Sequence, residues 1–176
     1  MREFGVVTAP NTVRLERVFP GPIDRLWAYL TEPEKRRVWL AAGPMADHVG
    51  GVVELRFRHS ELSHEATPER FGENGKEFRN VGEVTACDPP HLLSFTWPSS
   101  GGDKSEVTFE LSPQGDDVLM VLTHRRLADR PEMTSVASGW HTHLGILEDQ
   151  LAGRKPRGFW STYMELEKEY EKLLPM

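Results

Sequence analysis

The sequence predicts a single α+β domain, in which a curved antiparallel sheet of about six strands wraps around a long C-terminal helix. Several short segments alternate apolar and polar residues, two short helical patterns follow the first of them, and apolar residues recur at helical spacing through residues 136–151. A chain of 176 residues suits one domain. We expect its core in residues 13–151 and an extra amphipathic helix within residues 155–176.

The composition excludes several classes of protein. Hydrophobic residues make up 38% of the chain and charged residues 27%, as in folded rather than disordered proteins. The net charge of -6 repels phosphate backbones, so nucleic acid is not an expected partner. Because no apolar run reaches 18 residues and the first ten residues do not resemble a secretory signal, we expect a cytoplasmic protein without membrane insertion. The lone cysteine, Cys87, is expected to be a small buried thiol.

The first third of the chain predicts a strand and two short helices. Residues 13–19 alternate apolar and polar side chains, which is typical of a strand with one buried face. The prolines and glycine of residues 20–22 end it, and residues 23–30 then place apolar side chains three or four positions apart. A second short helix is predicted over residues 33–39, with a proline in its first turn.

The middle of the chain predicts the rest of the sheet. Residues 60–80 contain few apolar side chains and several turn formers, so we expect a long surface loop or a loose hairpin there. The unbroken apolar run 118–122 predicts a strand inside the sheet that is buried on both faces. Five strands are predicted in this region: residues 53–57, 81–87, 92–97, 105–112 and 118–125.

Two amphipathic helices are predicted at the C-terminal end. The first spans residues 136–151 and has a narrow apolar stripe, and the second carries apolar residues at the same spacing through residues 159–173. A long helix across the concave face of a curved sheet leaves space between the side chains, which predicts an apolar cavity. The second helix is interpreted as a lid or as a contact in a homodimer.

Four stretches of the chain carry a family resemblance: residues 18–33 with Trp39, residues 50–51, residues 82–84 with 88–97, and residues 139–140 with Leu144 and Leu147. In these stretches the chain resembles the SRPBCC, or START-like, superfamily and, within it, the homologues of the activator of the ninety-kilodalton heat-shock chaperone's ATPase. The resemblance implies the helix-grip fold. It implies no particular reaction, because the superfamily includes lipid carriers, hormone receptors and aromatase/cyclases.

Three histidines are candidates for the interior. His59 shares the inward face of its strand, His124 shares the face of Met120 and Leu122, and His143 falls in the apolar helical stripe. A zinc site or a general base is one interpretation, and hydrogen-bonded core histidines are the other. We expect no metal, no cofactor and no catalytic constellation, because the chain lacks paired cysteines, a nucleophile elbow and a phosphate-binding glycine loop.

Large inward aromatic residues predict the walls of the cavity, although such rings also fill cores. The favoured function is therefore the binding of a small, largely apolar molecule without catalysis. Two alternatives stay open: a cyclase- or hydrolase-like enzyme acting on an aromatic or lipid-like substrate, and an interaction module that forms a homodimer or binds a chaperone. The expected ligand-binding residues are Trp39, Phe57, Trp97, Trp140, His143 and Leu144.

Overall fold

Seven antiparallel strands form one curved sheet in the computed structural model, which describes residues 4–72, 77–98 and 104–174. The strands lie in the order β1-β2-β7-β6-β5-β4-β3. This confirms the predicted α+β, helix-grip fold. The strands are β1 (Val6–Ala9), β2 (Thr12–Pro20), β3 (Val52–Arg58), β4 (Glu77–Asp88), β5 (Leu92–Trp97), β6 (Ser105–Gln114) and β7 (Asp117–Arg125).

Strand β1 was not expected from the sequence. It has only four residues, and its burial does not alternate, so it carries no period-two signal. Its position comes from backbone pairing with β2, after a turn in which Asn11 adopts a left-handed conformation with φ of 56°. The sheet therefore has one more strand than the six that the sequence indicates.

Four α-helices accompany the sheet: α1 (Ile23–Thr31), α2 (Pro33–Arg36), α3 (Arg130–Leu151) and α4 (Phe159–Leu173). Helix α2 is shorter than predicted, whereas α3 begins six residues before the expected residue 136. The Asp129 side chain caps α3 by accepting the backbone N–H of Glu132 at 2.9 Å, and the Glu132 carboxylate accepts the N–H of Ala128. This capping box was present in the sequence and would have predicted the start of the helix.

Strand β7 lies inside the sheet, as predicted, with β2 on one side and β6 on the other. The prediction that it is buried on both faces is wrong. Met120 and Leu122 on one face are fully buried, but Leu119 and Val121 on the other face are only partly buried. The helices cover one face of the sheet, so the opposite face carries the polar pairs and the half-exposed side chains.

The expected loop over residues 60–80 is partly ordered as secondary structure. Short 3-10 turns occupy His59–Glu61 and Glu69–Phe71, and residues 77–80 belong to β4, where Phe78 pairs with Phe57 of β3. The loop prediction is therefore wrong for residues 77–80, and residues 73–76 lie outside the described part of the chain. The sequence of residues 77–81 does not alternate, because Phe78 and Val81 lie three positions apart, so it gave no strand signal.

The turn after α2 is built around a fully buried arginine. The Arg36 guanidinium donates hydrogen bonds to the backbone carbonyls of Thr31, Ala41 and Gly43, at 3.1 Å for Thr31 and 3.0 Å for Ala41. Burial lowers its pKa to about 10, which still leaves it charged at neutral pH. These three bonds hold residues 31–43 in the compact form that brings Trp39 and Leu40 beneath the sheet.

Cys87 lies near the end of β4 and is half-buried rather than fully buried as expected. Desolvation raises the pKa of its thiol, and the nearby carboxylates of Asp47 and Asp88 act in the same direction. The thiol is therefore protonated and weakly nucleophilic at neutral pH.

The apolar stripe of α4 packs against α3 of the same chain. Phe159, Trp160 and Tyr170 are buried there. The Tyr170 hydroxyl accepts the N–H of Gly5 at 2.6 Å and hydrogen-bonds Nδ1 of His141 at 2.8 Å. Much of the stripe on which a dimer was predicted is thus covered within the chain, whereas Leu173 at its end is 52% exposed. Dimerisation itself stays a prediction. No helix among the described residues is long and apolar enough to cross a membrane.

Candidate ligand-binding cavity

A cavity of about 490 Å³ lies between α3, α4 and the half of the sheet formed by β3, β4 and β5. Eight of its fourteen described lining residues are Phe, Trp or Tyr, and none is Asp, Glu, Lys or Arg. Its size falls in the range of small-molecule pockets, and its walls are largely apolar. The lining residues are Leu40, Phe57, His59, Phe71, Phe78, Trp97, Ser135, Val136, Gly139, Trp140, His143, Phe159, Trp160 and Tyr163.

The sheet contributes three rings to the cavity. Phe57 and Phe78 form a cross-strand pair between β3 and β4, with ring centroids 4.6 Å apart and planes at 10°. Trp97 of β5 meets Phe57 edge-on at 5.9 Å. Because strand side chains alternate between faces, all three point to the concave side while their neighbours point outward. Together they form the aromatic wall on the sheet side of the cavity.

A buried hydrogen-bond chain fixes two of the tryptophans. The Trp140 indole N–H donates to Nδ1 of His124 at 3.0 Å, so that nitrogen must be unprotonated. Burial lowers the pKa of His124 to about 4, and the neutral ring therefore carries its proton on Nε2, which lies 2.8 Å from the Ser105 hydroxyl. Ser105 in turn donates to the Trp97 carbonyl at 3.0 Å. Helix α3 is thereby connected to three strands of the sheet.

His143 contributes a polar group to the apolar wall. Its Nδ1 donates to the Trp39 carbonyl at 2.8 Å, and the residue is only 6% exposed. Burial, together with the nearby His59, lowers the pKa of His143 to about 3. At neutral pH the ring is therefore uncharged, with its proton on Nδ1 and a lone pair on Nε2.

Helix α4 and the segment after β3 cover the cavity. The Trp160 ring stacks on Phe71 at 4.2 Å, and Phe159 stacks on His59 at 4.6 Å. On the outer surface, Arg70 pairs with the Glu167 carboxylate at 2.7 Å. These contacts hold α4 over the cavity.

The structure brings four of the six predicted ligand-binding residues to the cavity wall: Phe57, Trp97, Trp140 and His143. Trp39 and Leu144 are fully buried but are not among the lining residues. Trp39 instead orients His143 through its carbonyl, and its own indole N–H donates to the Tyr29 carbonyl at 2.8 Å. A role in ligand binding stays a prediction for all six.

Sequence reasoning missed several lining residues. Phe78 was assigned to a loop, and Phe71 lies in a 3-10 turn with no periodic signal. Phe159, Trp160 and Tyr163 begin the second helix, and this concentration of aromatic residues in its first turns was the available signal. Gly139 went unnoticed because a glycine gives no apolar pattern.

His59, His124 and His143 are all buried, as their positions in strand and helix indicated. Both ring nitrogens of His124 are hydrogen-bonded within the protein, so this ring is not a metal ligand. The described residues contain no group of three or more His, Cys, Asp or Glu side chains that could hold a metal ion. The zinc interpretation therefore has no geometric support here.

Comparisons with known proteins identify the family. The family model of Activator of Hsp90 ATPase homolog 1-like proteins matches residues 20–152, about three quarters of the chain. The chain belongs to this family. The matched residues include strands β3 to β7 and α3, but not β1, nearly all of β2, or α4, the helix that closes the cavity. A comparison with curated proteins found no significant match.

Solved structures of other proteins share this architecture. A Bordetella parapertussis protein, determined by solution NMR, is 42% identical with a TM-score of 0.84, over 97% of this chain and 91% of that one. CalU16 from Micromonospora echinospora is 21% identical with a TM-score of 0.70, over 92% and 87%. DynU16, a protein in the dynemicin biosynthetic locus, is 19% identical with a TM-score of 0.63, over 84% of this chain and 49% of that one. The last two show similarity of fold alone.

Proposed function

We propose that this protein binds a small, uncharged, largely aromatic molecule in the cavity between the sheet, α3 and α4, and that it acts as a carrier or sensor. The observation that carries the proposal is the cavity itself, with eight aromatic residues around about 490 Å³. A charged ligand would lose its hydration there without meeting an opposite charge among the described lining residues. A flat, neutral ligand would gain burial and ring stacking.

The residues that line the cavity favour binding over catalysis. A cyclase- or hydrolase-like reaction needs a positioned acid or base, and the described lining residues offer no Asp, Glu, Lys or Cys, only the imidazoles of His59 and His143 and the hydroxyls of Ser135 and Tyr163. The imidazole of His143, with its pKa near 3, takes up protons poorly at neutral pH. An interaction module that uses the apolar stripe of α4 is disfavoured because α4 packs on α3. A chaperone partner remains a prediction that the cavity neither requires nor uses.

Thermal unfolding with a panel of ligands tests the proposal, because a molecule that binds only the native state raises the melting temperature. The panel contains neutral flat aromatics such as flavone and 2-naphthol, neutral sterols, and anionic fatty acids. We expect the flat aromatics to raise the melting temperature and to quench tryptophan emission, because three of the five tryptophans line the cavity. No shift with any member of the panel would contradict the proposed function.

A further inference from the structure

We infer that Nε2 of His143 is the hydrogen-bond acceptor that selects the ligand, and that the ligand is a neutral aromatic molecule carrying a hydroxyl donor, of the phenol type. This inference rests on the proposed binding function and specifies its chemistry. It follows from the lone pair on Nε2 of an imidazole that lines the cavity and whose other nitrogen is already bound to the backbone.

The tautomer of His143 is decided by the backbone. A carbonyl oxygen can only accept, so the contact at 2.8 Å with the Trp39 carbonyl places the proton on Nδ1. The neutral ring then has no second proton, and Nε2 can only accept. Trp39 is itself fixed by its indole bond to Tyr29, which holds the carbonyl, and with it the imidazole, in one orientation.

No donor within the described residues reaches Nε2. The neighbours of the ring are aromatic: the Phe159 centroid lies at 5.1 Å, the His59 centroid at 5.8 Å and the Phe57 centroid at 5.9 Å. Phenylalanine rings donate no conventional hydrogen bond, and the Trp140 indole N–H is already donated to His124. The Trp160 indole N–H also lines the cavity, but it makes no hydrogen bond within the described residues and so does not reach Nε2. An acceptor that faces an apolar cavity favours a ligand that brings a donor, because that hydrogen bond replaces the one that the acceptor makes to solvent.

The rest of the wall restricts what can carry that donor. An ammonium or guanidinium group would be desolvated in a cavity whose described lining contains no carboxylate. A carboxylic acid that ionises would place a negative charge against the lone pair of Nε2. A hydroxyl on an aromatic ring meets both requirements, because it donates one hydrogen bond, stays neutral, and keeps a flat face for Phe57 and Trp97.

Matched ligands and variants test the inference by calorimetric titration. 2-Naphthol carries the donor, and 2-fluoronaphthalene has nearly the same shape without it. The ratio of their dissociation constants in the wild type is compared with the ratio in His143→Phe, which keeps a ring but removes Nε2. The wild type should prefer 2-naphthol over 2-fluoronaphthalene, and in His143→Phe this preference should be about tenfold smaller, which is the effect of losing one hydrogen bond. His48→Phe, at a histidine exposed outside the cavity, is the control and should keep the wild-type ratio.

The outcomes separate this inference from the proposed function. If both naphthalenes bind and the ratio is the same in the wild type and in His143→Phe, the cavity function stands and the acceptor role of His143 is overturned. If the ratio changes in His59→Phe instead, the acceptor is the other imidazole, which also overturns the assignment. If neither compound binds the wild type, the proposed function fails with it. If His143→Phe does not fold, the wild type alone still tests the inference, because the O-methyl ether of 2-naphthol lacks the hydroxyl donor. Equal affinity of the wild type for 2-naphthol and for this ether would overturn the inference.

Discussion

Gly139 offers a way to fill the cavity without disturbing the fold. It lies in the interior of α3 and lines the cavity, and a Cβ built at this position meets no atom within 4 Å. The change Gly139→Phe should therefore place a ring in the open space where a ligand ring would lie. Two effects on the protein are expected, one on stability and one on affinity.

The stability effect comes from the helix. Glycine in a helix interior is about 0.8–1 kcal/mol less favourable than alanine, so Gly139→Ala should stabilise the protein by about that amount. For a chain of this size the gain corresponds to a rise of about 2–4 °C in the melting temperature. Phenylalanine is a weaker helix former than alanine but a better one than glycine, so Gly139→Phe should not lower the melting temperature.

The affinity effect comes from lost burial. An aromatic side chain buries about 150–250 Å², so a ligand ring that is excluded from this space loses about 4–6 kcal/mol at 25 cal/mol per Å². We therefore expect Gly139→Phe to raise the dissociation constant of 2-naphthol by at least about a hundredfold. Calorimetric titration measures it, with Ala152→Phe as the control, because Ala152 is exposed and outside the cavity. A folded Gly139→Phe protein with wild-type affinity would refute the reasoning, since the ligand would then bind elsewhere.

Three further predictions concern the groups that support the cavity. Arg36→Met should lower the free energy of unfolding by about 2–4 kcal/mol, because two buried carbonyls and one partly buried carbonyl lose their donor. In the same urea titrations Arg37→Met, at a half-exposed arginine, should change it by less than about 1 kcal/mol. His124→Leu should cost about 2–4 kcal/mol and shift the tryptophan emission, because an indole N–H and a serine hydroxyl lose their partner; unchanged emission would contradict the hydrogen-bond chain. The folded-state pKa values of His124, His141 and His143 lie near 4, 4 and 3, below the ordinary value, so the unfolded chain binds their protons first as the pH falls. The contribution of these histidines to the free energy of unfolding should therefore be constant above about pH 6.5 and should fall by several kcal/mol toward pH 4. A urea unfolding midpoint that does not change between about pH 6.5 and pH 4 would contradict their burial.

The fold could be predicted largely from periodicity, and its errors have physical causes. Residues 105–112 alternate so cleanly that the strand is evident, because one face is buried and the other is polar. Strand β1 was not predicted because an edge strand that is held by backbone pairing needs no buried face, and so its sequence does not have to alternate. The segment 77–80 was assigned to the loop because its single apolar ring, Phe78, is isolated among polar neighbours, and its partner Phe57 is about twenty residues away in the sequence.

The site was harder to predict because a cavity depends on what several elements leave empty. Strand alternation for Phe57 and helical spacing for Trp140 correctly predicted that both side chains face the interior. Such patterns do not distinguish a residue of the cavity wall from a tightly packed core residue such as Leu144. Trp39 was chosen for its ring, whereas the structure gives its carbonyl the positioning role. Gly139 leaves open space in the cavity because it has no side chain, and no hydrophobic pattern in the sequence indicates such a position.

The five tryptophan indole groups provide the most direct test of the central claim, that a small aromatic molecule occupies the cavity beneath α3 and α4. Proton–nitrogen NMR spectra of the uniformly labelled protein are recorded during titration with 2-naphthol. The indole signals of Trp97, Trp140 and Trp160, which line the cavity, should shift with one common saturation curve, while those of Trp27 and Trp39 should not move. Saturable binding that leaves the three cavity signals in place, or that shifts Trp27 instead, would contradict the account.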